Sequence, residues 1–177
     1  MKRVVQEEAT GCGIASVATL ARVTYREAQD VAKGMGISAA DPCLWSTTGY
    51  VRRLLIHYGI RTSTGESPFT SWERLPPVAL LAIKSYRSAG HEFWHWVVFH
   101  RGLKGPVVLD SKRTLRRGER TDFGRMKPKW FIAVAVRKPL KLKKTARQGK
   151  RGEGRPHGRA SGGRTSGRSH KNVAPIV

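Results

Sequence analysis

Residues 11–22 read Gly11-Cys12-Gly13-Ile14-Ala15-Ser16-Val17-Ala18-Thr19-Leu20-Ala21-Arg22. Ile14, Val17, Ala18 and Ala21 fall at helical spacing, so the stretch predicts a helix from Cys12 to about Arg22. A thiol then sits in the first turn, where unpaired N–H groups and the positive end of the helix dipole favour a thiolate. From a pKa of about 8.5 a thiol is a weak nucleophile at neutral pH, and a helix start or a nearby imidazolium lowers that to about 3.5–7.5. The flanking glycines remove side chains that would block a substrate carbonyl. Small residues around a cysteine also suit plain tight packing, so Cys12 alone leaves a chemical and a structural reading open.

Working outward, the first half of the chain continues in helical language. Thr24-Tyr25-Arg26-Glu27 has the spacing of a capping box and predicts a second helix ending near Gly34. A third starts around Ser46-Thr47, carries Val51, Leu54, Leu55 and Tyr58 on one face, and stops at Gly59. Asp41-Pro42 marks a turn within the loop Gly36 to Leu44. The second half reads as strands at Ile60–Thr64, Val78–Lys84, His95–His100, Val107–Asp110 and Trp130–Val136. The segment between Lys112 and Lys129 is basic, poor in apolar residues and expected to be a loop. Helices first and an antiparallel sheet second define an α+β domain.

The strand half changes the reading of Cys12. His95 opens the apolar run Trp96-Val97-Val98-Phe99, and Asp110 closes the run Val107-Val108-Leu109. With Arg101-Gly102-Leu103-Lys104 as a four-residue hairpin loop, His100 pairs with Gly105 and His95 lies opposite Asp110. Directly opposed residues have Cβ atoms about 4.5–5.5 Å apart, within reach of a carboxylate–imidazole hydrogen bond. That bond would fix the tautomer and leave the other ring nitrogen for the thiol. Gln6, six residues before Cys12, can fold back beside it, and its amide with the Cys12 backbone N–H would form an oxyanion hole.

Gln6, Cys12-Gly13-x-Ala15-Ser16-Val17, His95-Trp96-Val97-Val98 and Leu109-Asp110-Ser111, in that order, resemble the bacteriocin-processing, double-glycine leader peptidases and their stand-alone relatives. The resemblance covers residues 4–136 and extends to the helix after Thr47-Thr48-Gly49 that ends in Tyr58-Gly59. It implies a papain-like fold, with a helical half packed on an antiparallel sheet and the site in the cleft between. By the same resemblance Cys12 is nucleophile, His95 base, Asp110 the orienting group and Gln6 the oxyanion donor. The chain departs from the family in having Gly11 where an aspartate is common and Ser111 where a proline is usual. The activity implied is hydrolysis of a peptide or protein substrate through a thioester, with no cofactor. An acyl-transferring or non-catalytic relative on the same fold is the alternative.

Two other constellations compete. His91-Glu92-Phe93-Trp94-His95 matches H-E-x-x-H, a zinc-peptidase signature that works only on a helix. Gly90 before it and the apolar run after it are strand language, and on a strand the two histidines stand about 13 Å apart, too far for one zinc. Charge supplies the second alternative. The 177 residues hold 34 Lys+Arg against 12 Asp+Glu. Residues 137–171 contribute 13 of those cations and the single acid Glu153, a net of +12, while residues 1–136 carry +10. The tail is rich in Lys, Arg, Gly and Ser and has no aromatic residue, so residues 1–137 are expected to form the domain and 138–177 a disordered tail. Such a tail suits non-specific nucleic-acid binding through counterion release, although it lacks aromatics for base stacking.

No apolar stretch approaches the roughly 20 residues of a membrane span, and no signal-peptide core follows Lys2-Arg3. A reducing cytoplasm is therefore expected, with Cys12 and Cys43 as thiols rather than a disulfide. Cys43 and Trp45 read as ordinary loop packing.

Overall fold

The fold was obtained as a computed structural model, which describes residues 1–41 and 46–135. The element order is α1 (Cys12–Ala21), α2 (Tyr25–Gly34), α3 (Gly49–His57), β1 (Ser67–Pro68), β2 (Val78–Ser88), β3 (His91–Gly102), β4 (Gly105–Leu109), β5 (Glu119–Arg120), α4 (Phe123–Met126) and β6 (Pro128–Ala133). The strands form one antiparallel sheet in the order β1-β6-β2-β3-β4-β5. Helices followed by an antiparallel sheet are what the sequence predicts. Among the described residues no helix is long and apolar enough to cross a membrane. The expected domain boundary near residue 137, the basic tail, Cys43 and Trp45 lie outside the described residues.

α1 is the centre of the helical half. Residues Cys12 to Thr19 are all buried, because small side chains at Ala15, Ser16 and Ala18 let α2, α3 and β3 approach from several sides. α2 starts with the predicted capping box: Thr24 Oγ1 accepts from the Glu27 N–H and the Thr24 N–H donates to Glu27 Oε2. α3 buries Tyr50, Val51, Leu54 and Leu55.

The alternation of the strands divides the core into two clusters. Leu80, Trp96, Val98, Leu109 and Ile132 pack with the helices. Leu81, Ile83, Val97, Phe99 and Val108 form a second cluster with Met126 of α4, flanked by Trp72 and Phe123. This second cluster explains a correction. The segment between Lys112 and Lys129 is not simply a loop, because β5 pairs with β4 there and α4 inserts Met126 into the core. Another correction concerns Ile60–Thr64, which forms no strand and contributes the isolated bridge Thr62 to Val134.

The β3–β4 hairpin is tighter than expected. Gly102 pairs with Gly105, so only Leu103 and Lys104 form the loop, with Gly105 at φ +102° turning the chain. Phe99 consequently faces Val108 rather than Pro106. Compared with the expected register, the pairing has moved by two residues. An even shift keeps every side chain on its own face, whereas a shift of one would have turned His95 away from Asp110.

Candidate active site

Cys12, His95, Asp110 and Gln6 are brought together by three elements and the N-terminal segment. Cys12 opens α1, whose first turn carries no acidic residue to oppose a negative charge. The flanking glycines also make room for two tyrosines. A Cβ on Gly11 would overlap the Tyr25 hydroxyl, and one on Gly13 would overlap the Tyr50 hydroxyl. These positions are therefore small so that two buried tyrosines can close around the helix start. Tyr25 donates its hydroxyl hydrogen to Glu8 Oε2, and burial followed by that bond pushes its pKa up. Burial, and then the charge of Cys12, pushes the Tyr50 hydroxyl up as well.

His95 stands on β3 beyond the last residue paired with β4, and pairs with Ile83 of β2. Asp110 follows β4 directly and is only 1% exposed. The tighter hairpin places it diagonally from His95, a separation that these side chains still bridge. His95 Nε2 lies 2.8 Å from Asp110 Oδ1. Cys12 lines the same cleft as His95 and interacts with the imidazole. Burial alone would push the imidazole pKa down, but the bond to Asp110 and the interaction with Cys12 outweigh it and raise the value to about 9. Burial would push the Asp110 carboxyl up. Its bond to His95, with help from the Lys112 N–H and Arg120, instead holds it at about 2.

Asp110 is fixed from several directions. Its N–H donates to Gly118 O at 2.8 Å, and its carbonyl accepts from Arg3 Nη1 at 3.2 Å. Oδ1 accepts from the Lys112 N–H at 3.1 Å in addition to His95. Arg120 Nη1 donates to Oδ2 at 3.0 Å, while its Nε and Nη2 hold Asp122 at 2.9 and 2.8 Å. Sequence reasoning missed this role, since it read the whole segment between Lys112 and Lys129 only as a basic loop. The signal was the two-residue pairing of β5, with Arg120 opposite Val108, which is too short to read from periodicity.

Gln6 is buried and lines the same cleft as Cys12, with its amide already engaged. Nε2 donates to the carbonyls of Glu8 at 2.9 Å and Ala9 at 2.8 Å. Oε1 accepts from Ser111 Oγ at 2.8 Å, and the Gln6 N–H donates to Ser111 O at 3.0 Å. Ser111, at the position where the resembled family has proline, therefore ties the segment before Cys12 to the residue after Asp110.

The cleft has a volume of about 410 Å³ and is lined by Cys12, His95, Gln6 and Tyr50 on one side of the chemistry and by Lys84, Tyr86, Phe93 and Trp94 further out. His91-Glu92-x-x-His95 lies wholly within β3, and His91 pairs with Ser88 at the far end of that hairpin. Glu92 is bound to Ser85 and Lys129. Among the described residues no group of three or more His, Cys, Asp or Glu is gathered for a metal ion.

No family model matches the chain, and no curated protein matches it. Among solved structures it is similar to a double glycine motif protease from an AMS/PCAT transporter, crystallised with the leader peptide. The identity is 18%, the likeness covers 75% of this chain and 93% of that one, and the TM-score is 0.48.

Proposed function

We propose that the chain is a papain-like cysteine peptidase, with Cys12 as nucleophile, His95 as acid and base, and Asp110 as the group that orients the imidazole. The observation that carries this reading is the convergence on one cleft of Cys12 and His95, with His95 bonded at 2.8 Å to Asp110 through Nε2 and its imidazole interacting with the thiol. An imidazole held this way has one tautomer and one direction for proton transfer.

The thiolate attacks the carbonyl carbon of the substrate, and the oxygen that becomes negative is met by the first N–H groups of α1. The Gln6 amide joins them on exchanging its bond to Ala9. The C–N bond breaks as His95 passes its proton to the leaving amine, which leaves a thioester on Cys12 and a neutral imidazole. His95 then takes a proton from water, the hydroxide adds to the thioester, and the thiolate departs with the acid released. His95 keeps the proton, and the thiolate–imidazolium pair is restored.

The test is incubation of the purified protein with a mixed peptide library, followed by mass spectrometry of products and of the intact protein. New peptide termini and an acyl adduct on Cys12, both lost in Cys12→Ala, are expected. Unchanged peptides together with an unmodified, alkylatable Cys12 would refute the reading.

A further inference from the structure

None of the twelve residues lining the cleft is an aspartate or glutamate, and its charged side chains are His95, Lys84 and Lys112. Both lysines are exposed at its rim. Among the described residues no carboxylate lies within ion-pair distance of either ammonium. Two acids on adjoining segments are engaged elsewhere, Glu92 with Lys129 and Ser85 and Glu8 with Tyr25 and Gln29, while Glu7, beside Gln6, is exposed.

Backbone features also place the two lysines. Lys84 stands where the β2–β3 ladder breaks between Ile83 and Tyr86, and it holds φ at +53°. Left-handed backbone is uncommon for a residue with a side chain, and breaks of this kind beside a site re-aim the side chain they carry. The Lys112 N–H is pinned to Asp110 Oδ1 at 3.1 Å, which holds that residue next to the His95–Asp110 pair. The outer part of the cleft is apolar. Tyr86 and Phe93 stack there with ring centroids 5.4 Å apart, and Trp94 adds to the wall.

Resting on the peptidase reading of the same cleft, we infer that it selects peptides that carry a carboxylate beside an apolar or aromatic side chain close to the bond that is cut. The carboxylate meets Lys84 and Lys112, and the apolar group lies on the Tyr86–Phe93–Trp94 wall. An acidic side chain and a free C-terminus offer the same chemistry, so the experiment separates them.

Three peptides share one aromatic core: one has an internal glutamate and an amidated end, one an internal glutamine and an amidated end, and one the glutamine with a free C-terminus. Each is measured for protection of Cys12 against iodoacetamide and for kcat/KM. At least one carboxylate peptide should bind about 3- to 10-fold more tightly than the neutral one at low salt, and the preference should shrink at about 0.5 M salt. Lys84→Met and Lys112→Met should each reduce the ratio, the double variant should bring it close to one, and Arg116→Gln should leave it unchanged. Equal protection by all three peptides, or a preference that survives in the double variant, would overturn the inference. Protection by the carboxylate peptides without cleavage would refute the peptidase reading and leave the subsite standing. Cleavage without preference would do the reverse.

Discussion

Arg120 donates to Asp110 Oδ2 at 3.0 Å on the carboxylate oxygen that His95 does not use. The guanidinium is itself locked by Asp122, so its hold on the carboxylate has a fixed direction. Arg120→Gln should lower kcat by on the order of 10-fold with little change in KM, since misplacing the imidazole slows chemistry rather than binding. It should also raise the pH at which Asp110 protonates, read by NMR of the carboxyl carbon. Arg120→Lys keeps the charge without the planar fork and should fall between. A variant with the parent's pH profile and kcat would remove Arg120 from the site.

Cys12 should react with iodoacetamide faster than Cys43. Peptide mapping of the labelled protein checks this, with Cys12→Ser as control. A chelator should change neither the labelling rate nor any hydrolysis. Stoichiometric zinc lost together with activity on chelation would favour the H-E-x-x-H reading instead.

Stability should be bounded by the same pair. Asp110 protonates at about 2 rather than the ordinary 3.8, so its contribution is complete above about pH 4 and is lost as pH falls through about 2. His95 is raised from 6.5 to about 9, so its contribution is complete below about pH 6.5 and is lost as pH rises through about 9. Thermal midpoints measured across pH should therefore be highest between about pH 4 and 6.5 in this component. Asp110→Asn should flatten both slopes, and a variant that kept them would place their origin elsewhere.

Gly13→Ala should be costly despite adding one methyl group in a helix. The new Cβ meets the ring and hydroxyl of buried Tyr50, so the helix start or the tyrosine must move, at about 1–3 kcal/mol. Chemical denaturation measures the loss. Adding Tyr50→Phe, which removes the hydroxyl, should recover part of it.

A chain ending at Arg137 should keep the reactivity of Cys12, because every side chain described around the site precedes that point. Its retention on nucleic acid should fall with the loss of residues 138–177, which hold 12 of the 34 cations. Retention of the full chain should weaken steeply between about 50 and 200 mM salt. Equal retention by both would move the binding to the folded surface bearing Arg113, Arg116 and Arg117. Arg120 is not counted with that surface because Asp110 and Asp122 already hold it.

The legible parts of this fold were those governed by local chemistry. α1 and the capping box of α2 follow from spacing and side-chain type within a few residues. The meeting of His95 and Asp110 was legible for a subtler reason: the hairpin was misjudged by two residues, and a strand's period of two forgives an even error. What stayed hidden depends on contacts between distant segments. Arg120 reaches Asp110 through a strand of two residues, Ser111 meets Gln6 across 105 positions, and the space at Gly13 belongs to Tyr50. No periodicity carries such information, since each is fixed by how the layers close.

The brace formed by the first six residues has a consequence for timing. Val4 N–H is held by Thr19 of α1, whereas Arg3 and Gln6 are held by Asp110, Ser111 and Leu115, more than a hundred positions later. During synthesis, the helix bearing the thiol is complete long before any of those acceptors exists. A nascent chain therefore carries Cys12 before the imidazole, the carboxylate or the brace is made, and contacts of such long range are the slow ones to close. On the peptidase reading, the thiol gains its partners only when the two ends of the domain have met.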